Sequence, residues 1–416
     1  MLAMVLLALI ASWFVVRWYL GNTIAEYFNP EESRLSTARM GASLAPSDPL
    51  THWRLGDFIL NQLPADQVAQ AVGEFERSVS LSPNDYRYWV AWGQALEQAG
   101  EYEKAEKVLR EAVRLAPAYS FPRWHLGNLL LRRARFNEAF PELQRASQAN
   151  GELQPQLFAL ASQVHGDDLE ALKIAVGSEP VTRARFAQYL IRRSRFDEGL
   201  SLWKTLSESD KRVNRAVAEL AISNLISQKR FHAAAGLWNE VAPSPAYRAE
   251  IGQIVDADFE NDVTHVPQFL FGWQVPSSNQ VQIGISTNGG HNSNRSLRLV
   301  FKVRSQLESI DVKQLVMVRP ETSYTLECYV KTEQLVGAST PVILIEDASD
   351  GARLAASANV PNGDNDWQLT SLAFRTGPKT EAVQLRVVRT ACTQQDPVCP
   401  IFGTVWYDNF ALKPGK

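Results

Sequence analysis

Asp408 is the acid whose surroundings say most. Alternation along Gly403–Leu412 places it on one face with Trp406, Phe410 and Leu412, an apolar face that reads as inward. An unpaired inward carboxylate is very costly, so the pattern demands a partner, either an arginine or a loop whose amides the carboxylate caps. Trp273, Trp367 and Trp406 carry a second kind of chemistry, because the face of a pyranose stacks on an indole. Alternation turns Trp367 and Trp406 into the core. Trp273 follows Gly272 in a loop-like stretch and is the indole expected to serve as a sugar platform. Cys328 shares parity with Tyr324, Leu326 and Val330 and reads as a buried, inert thiol. Cys392 and Cys399 bracket a short polar loop ending in Pro400. In an oxidising compartment they would form a local disulfide; in the cytosol they would be two thiols. No histidine or further cysteine stands near them to complete a zinc site.

Catalytic patterns are not seen. His52, His125, His165, His232, His265 and His291 are scattered without metal spacing. There is no glycine-rich phosphate loop, and Gly284-Ile285-Ser286 lacks the flanks of a nucleophile elbow. Glu111 and Asp197 belong to helix surfaces. No catalytic residue and no organic cofactor is therefore assigned, and a non-enzymatic protein is expected. The formal charge of −3 across 416 residues provides no general attraction for polyanions, so nucleic acid is not an expected partner. That length calls for two or three domains, and 45% apolar with 21% charged residues is ordinary globular composition.

The elements that must position these residues come in two kinds. From Trp89 to Pro117 apolar and small residues recur at helical spacing: Trp89, Trp92, Gly93, Leu96, then Gly100, Tyr102, Ala105, Leu109, Ala112 and Pro117. Gly93 and Ala105 are small where two helices would cross, and Pro117 ends the second helix. Leu126-Gly127 stands 34 residues after Trp92-Gly93, and Leu81-Ser82-Pro83 stands 34 before Leu115-Ala116-Pro117. Leu44-Ala45-Pro46 is a third terminator, with a turn-like insertion at Leu63–Asp66. Phe196–Gly199 with Trp203 and Phe231–Ala234 with Trp238 look like degenerate second helices. Arg132-Arg133-Ala134-Arg135-Phe136 returns as Arg192-Arg193-Ser194-Arg195-Phe196 after 60 residues, so a unit shortened by about eight residues is expected within Gly151–Pro180. These two stretches could form a basic stripe for acidic glycans or lipid head groups, although a solvated face is the simpler reading. The repeat pattern resembles the tetratricopeptide repeat, which implies an α-solenoid that binds protein partners in a groove.

Leu2–Val16 carries no charge and is followed by Arg17, Trp18, Tyr19 and Leu20, so the stretch to Leu20 can just span a bilayer. A signal peptide or a buried core helix are the alternatives. Arg17, Arg34 and Arg39 follow the segment, and the positive-inside rule taken literally would hold the rest of the chain in the cytosol. Asn29–Ser33 opens a leading helix that runs toward Leu44.

After residue 254 the period becomes two, with expected strands at Val281–Ser286, Ser296–Val303, Gln314–Val318, Ser323–Lys331, Pro341–Glu346, Trp367–Phe374, Ala382–Arg389 and Val405–Leu412. Eight short strands suggest an antiparallel sandwich. Val255–Glu260 with Phe271-Gly272-Trp273, and Gly403–Leu412 at the end, resemble the first and last strands of galactose-binding-like jelly rolls, the fold of many carbohydrate-binding modules. That resemblance implies one structural calcium ion, with Glu260 and Asp408 as side-chain ligands.

The expected organisation is a membrane anchor helix at 1–20, a leading helix and linker at 21–48, a tetratricopeptide-type solenoid at 49–242, a linker at 243–254 and a jelly roll at 255–416. The function expected from it is that of a non-catalytic envelope scaffold in a bacterial inner membrane, its soluble part periplasmic or extracellular. It would bind protein through the repeats and glycan through the jelly roll, in surface-polysaccharide assembly or export. A purely structural scaffold and a glycan-processing enzyme are the rivals.

Overall fold

The computed structural model describes residues 2–29, 34–62, 64–263, 270–278, 280–301, 305–306, 310–389 and 398–415. The chain divides into two compact units, residues 1–182 and 183–416. The first is helical: α1 (Leu2–Glu26), α2 (Leu35–Leu44), α3 (Pro49–Gln62), α4 (Val68–Leu81), α5 (Tyr86–Gln98), α6 (Tyr102–Leu115), α7 (Ser120–Arg132), α8 (Phe136–Ala149), α9 (Gln154–His165) and α10 (Leu169–Val176). Pro30–Ser33, where a helix start was expected, lie outside the described residues; α2 begins at Leu35.

Steric fit makes the hairpins. A Cβ placed on Gly93 would stand 2.6 Å from Leu109 Cγ, and one on Gly127 2.7 Å from Leu143 Cδ2, so each first helix closes on its second only at glycine. Ala105, Leu109, Ala112, Ala139 and Leu143 are fully buried at these crossings. The turn between the helices is also repeated. Gly100 and Ala134 take positive φ (80° and 55°), and the next residue donates its N–H five residues back, from Glu101 to Leu96 and from Arg135 to Leu130. This is a left-handed helix cap. The shortening expected within Gly151–Pro180 falls in α10, which has 8 residues where α6 and α8 have 14.

The second unit opens with α11 (Pro180–Arg192), which starts at the boundary, α12 (Phe196–Lys204), α13 (Glu208–Val213), α14 (Arg215–Ser227) and α15 (Phe231–Val241). The same cap joins α11 to α12 and α14 to α15. Ser194 and Lys229 have φ of 63° and 60°, with bonds from Arg195 to Leu190 and from Arg230 to Leu225. The stretch 243–254 is tied down: Trp238 Nε1 donates to the Tyr247 carbonyl at 2.6 Å, Asn239 exchanges bonds with Ala249, and Gly252 donates to the Met317 carbonyl. In α15, His232 N–H donates to Glu381 at 3.0 Å, which sets this hairpin directly on the β-rich part.

That part contains β1 (Val281–Ser286), β2 (Ser296–Phe301), β3 (Ser305–Gln306), β4 (Asp311–Met317), β5 (Ser323–Gly337), β6 (Val342–Asp347), β7 (Arg353–Ala356), β8 (Gly363–Arg375), β9 (Ala382–Val388), β10 (Val398–Cys399) and β11 (Ile401–Pro414). They form an antiparallel five-stranded sheet in the order β1-β2-β11-β5-β8, a four-stranded sheet β4-β9-β6-β7 and a small β10-β3 ribbon. Both larger sheets turn apolar residues into one core, including Leu297, Leu299, Leu326, Cys328, Ile343, Leu385, Val405 and Tyr407. The fold class is thus a helical solenoid followed by an antiparallel β region. The β2 strand was expected to continue to Val303, which lies outside the described residues.

Register corrects two expectations. In β11 the inward residues are Val405 and Tyr407, both fully buried; Asp408 and Trp406 stand opposite Tyr329 and Lys331 on the other face. A bulge between Asp408 and Ala411, with Asn409 at φ 50°, switches parity so that Phe410 and Leu412 return inward. In β8, Leu369 pairs with Tyr329 while Gln368 pairs with the inward Val330. Trp367 therefore shares the outer face with Leu369, not the core with Leu372 and Phe374.

Candidate functional site

The outer face of the five-stranded sheet gathers what the alternation in the sequence had scattered. Tyr329 on β5 and Trp367 and Leu369 on β8 stand on it, and Leu369 is 52% exposed. The loop from β1 to β2 crosses over β11 and lays the His291 ring flat on Tyr329, centroids 3.5 Å apart and planes at 15°. Trp367 meets the same imidazole edge-on at 5.9 Å. His291 thus covers one face of Tyr329 and Trp367 stands against it edge to face, each ring half-buried. Lys331 and Asp366 face each other beside them at 3.8 Å.

Asp408 builds this arrangement. Fully buried, its carboxylate accepts the His291 N–H at 2.6 Å and the Asn409 N–H at 2.7 Å. His291 Nδ1 and Asn409 Oδ1 are 2.9 Å apart, which locks the ring to the bulge. Gly290 is required beside it, since a Cβ there would fall 2.2 Å from the Arg295 carbonyl oxygen. Burial pushes the Asp408 carboxyl above its ordinary value, the His291 and Asn409 amides oppose that shift, and the charge of Asp258 adds to it. Of the two partners left open by the sequence, a loop cap is the one found.

The calcium ligands expected from the jelly-roll resemblance do not converge. Glu260 is exposed and lines a pocket of about 590 Å³ with Asp256, Asp258, Asn261 and Asn409; Asp408 is not among its lining residues. Asp256 is occupied by the Asn261 N–H and side-chain amide. Among the described residues no three His, Cys, Asp or Glu side chains are placed to hold a metal. Both Asp408 oxygens accept hydrogen bonds from amide N–H groups, and Glu260 stands at a separate pocket, so the two expected ligands do not share one site.

Trp273, the expected sugar platform, lies in the core at 6% exposure. Phe259 stacks on it at 5.1 Å, Phe410 stands at 5.1 Å, and its Nε1–H donates to the Asp256 carbonyl. An indole so enclosed has no face to offer a pyranose. Trp406, on the outer face, is covered by the Arg298 guanidinium at 5.6 Å and is 8% exposed. Cys328 is free and buried, and burial pushes its thiol well up. Cys399 is disulfide-bonded; Cys392, its expected partner, lies outside the described residues.

The first helices of the solenoid form a second surface. Gln94 on α5 bonds His125 on α7 at 3.1 Å, Phe121 stands edge-on to that imidazole at 4.5 Å, and Arg132 pairs with Glu97. Burial lowers the His125 pKa below its ordinary value. The basic stretch at the α7–α8 turn is neutralised: Arg133 pairs with Glu103 at 2.9 Å and Arg135 with Glu106 and Glu138 at 2.5 and 2.7 Å. In the equivalent α11–α12 turn, Arg193 stacks over Tyr189 and Arg195 meets Glu198 at 3.2 Å. These arginines are a solvated, paired face.

His291 and Tyr329 were missed in the sequence. Tyr329 had a usable signal, since it alternates with Cys328 and Val330 and so must face away from them. His291 had none beyond following the Asn288-Gly289-Gly290 turn.

Comparison with curated protein sequences returns no match. Among solved structures, part of the chain is similar to "MamA 41-end from Desulfovibrio magneticus RS-1" (20% identity, 39% of this chain and 90% of that one, TM-score 0.32). Another match is "Functional Characterization of Pseudomonas Aeruginosa pilF" (15% identity, 55% and 89%, TM-score 0.30). A third, "CBM4 structure and function", is 14% identical over 39% of this chain and 100% of that one, with a TM-score of 0.29. Residues 86–119, which hold α5 and α6, match the family described as tetratricopeptide repeat.

Proposed function

We propose that this protein is a membrane-anchored, non-catalytic scaffold that holds a protein partner on its helical repeats and a glycan on the outer face of its five-stranded sheet. The observation that carries the glycan reading is the Tyr329–His291–Trp367 cluster. Asp408 fixes His291, which covers one face of Tyr329, so half-buried Trp367 beside exposed Leu369 is the ring on which aligned C–H groups of a sugar would pack. His291, Asn409 and Lys331 stand beside them as polar groups able to meet hydroxyls. The partner surface is the α5–α7 face with Phe121, Gln94, His125 and Arg132, a mixture of apolar and polar groups suited to an extended peptide.

The same reading places the chain in a bacterial inner membrane, with its soluble part periplasmic or extracellular. The helix Ala3–Glu26 is long and apolar enough to cross a bilayer, and a disulfide at Cys399 favours an oxidising compartment. Arg17, Arg34 and Arg39 pull the other way under the positive-inside rule, and the redox state of Cys399 in protein isolated from cells decides between the two. A role in surface-polysaccharide assembly or export follows from joining a membrane helix, a partner groove and a glycan face in one chain.

The test is a glycan array probed with the full chain in lipid nanodiscs. Wild type should bind a defined glycan class and Trp367→Ala should not. A folded wild type that binds no glycan would leave only the protein scaffold.

A further inference from the structure

Helix α1 changes character along its length without a break. Leu6, Leu7, Leu9, Ile10, Trp13, Phe14, Val15 and Val16 are 45–66% exposed on every side of it. A protein groove covers one face of a helix, whereas a bilayer surrounds it. Ala3–Leu20 measures about 27 Å at 1.5 Å per residue, close to a hydrocarbon core.

The last turns are instead part of the solenoid. A Cβ on Gly21 would lie 2.6 Å from Ala45 Cβ, and one on Gly41 3.2 Å from Ile24 Cγ2, so α1 and α2 cross on small residues. Ala25 is 2% exposed, Phe28 packs edge-on against Phe58 at 5.8 Å, and Asn22 donates to the buried Asp48 at 2.7 Å. The membrane helix therefore enters the array directly. Its last apolar turn is held against α2 by Arg17, whose guanidinium donates to the Ser43 carbonyl at 2.7 Å.

A cleft of about 380 Å³ opens at this joint, lined by Phe14, Val15, Arg17, Trp18, Leu44, Ala45, Pro46 and Ser47. Its apolar side continues the lipid-facing surface of α1. Its polar side carries Arg17, half-buried and with only one of its five N–H groups used by Ser43. Arg17 and Trp18 stand where the head groups of a surrounding bilayer would lie.

We propose that this cleft binds one phospholipid, its phosphate on the Arg17 guanidinium and an acyl chain along Phe14, Val15 and Trp18. A planar guanidinium with free donors suits a phosphate, and an anionic head group is preferred because no carboxylate lines the cleft. The bound lipid would seat the first helices of the solenoid at the membrane surface. The inference rests on the anchoring reading.

The experiment uses the full chain reconstituted in vesicles of phosphatidylglycerol and phosphatidylcholine, then extracted gently and weighed by native mass spectrometry. Wild type should keep one phosphatidylglycerol, and Arg17→Gln should lose it while the helical circular-dichroism spectrum stays that of wild type. A wild type that keeps no lipid, keeps phosphatidylcholine equally well, or keeps as much lipid as Arg17→Gln would overturn the site. Alkaline extraction of the same vesicles tests the anchor separately, because a chain released from the membrane would fail that reading whatever the cleft does.

Discussion

The helical unit and the β sandwich code their side-chain directions in different ways. Between α5 and α8 each hairpin restarts its phase at a turn residue with positive φ, Gly100 or Ala134, and at a crossing glycine, Gly93 or Gly127. A misjudged residue in one hairpin does not propagate into the next. Strand β11 shifts its phase inside the strand, between Phe402 and Thr404 and again between Asp408 and Ala411. One bulge at Asn409 turns Asp408 and Trp406 outward while Phe410 stays inward, and the candidate ligand face depends on it.

Two tryptophans that look alike in the sequence should answer truncation in opposite ways. Trp273→Ala removes a core indole and its hydrogen bond and should cost about 3–5 kcal/mol. Trp367→Ala removes an outer-face indole and should leave the unfolding midpoint almost unchanged. Denaturant titration followed by near-ultraviolet dichroism reads both. Equal losses would mean that Trp367 is core after all.

A smaller effect is expected in the helices. Gly93→Ala places a Cβ within 2.6 Å of Leu109 and should cost about 1–3 kcal/mol, whereas the same change at Gly73, which has nothing within 4 Å, should be neutral or stabilising. Thermal melts at 222 nm compare them, and a harmless Gly93→Ala would show that the crossing can relax.

The smallest effect concerns Asp408. Its folded pKa is raised above the usual 3.8, so the stability it supplies is present below that value and lost as pH rises through the folded pKa. The gap in melting temperature between wild type and Asp408→Asn should therefore narrow as pH is raised from 4 toward 7. A gap independent of pH would mean that Asp408 titrates as an ordinary carboxylate.

Much of the fold was legible because its rules are local. Helical stripes and 34-residue spacing marked the hairpins from α5 to α8, and strand alternation marked the central strands. Four-residue β7 and the two-residue polar β3 are too short for alternation to show. The candidate site was legible in composition but not in direction. Asp408 and Trp367 drew attention by residue type, yet their faces depend on a bulge and on strand register, which no run of apolar residues reports. His291 reaches the site only through a loop folded back by long-range hydrogen bonds. Trp273 misled for a related reason: the loop-like Gly272 before it is buried with it.

The glycan face is tested most directly by isothermal titration of the full chain in nanodiscs with a glycan selected on the array. Three proteins suffice: wild type, Trp367→Ala and Leu369→Ala. Stacking on Trp367 predicts a loss of at least about tenfold in affinity, near 1.4 kcal/mol, for Trp367→Ala, and a smaller loss for its neighbour. Wild-type affinity in Trp367→Ala, with the fold intact, would contradict the assignment of this face.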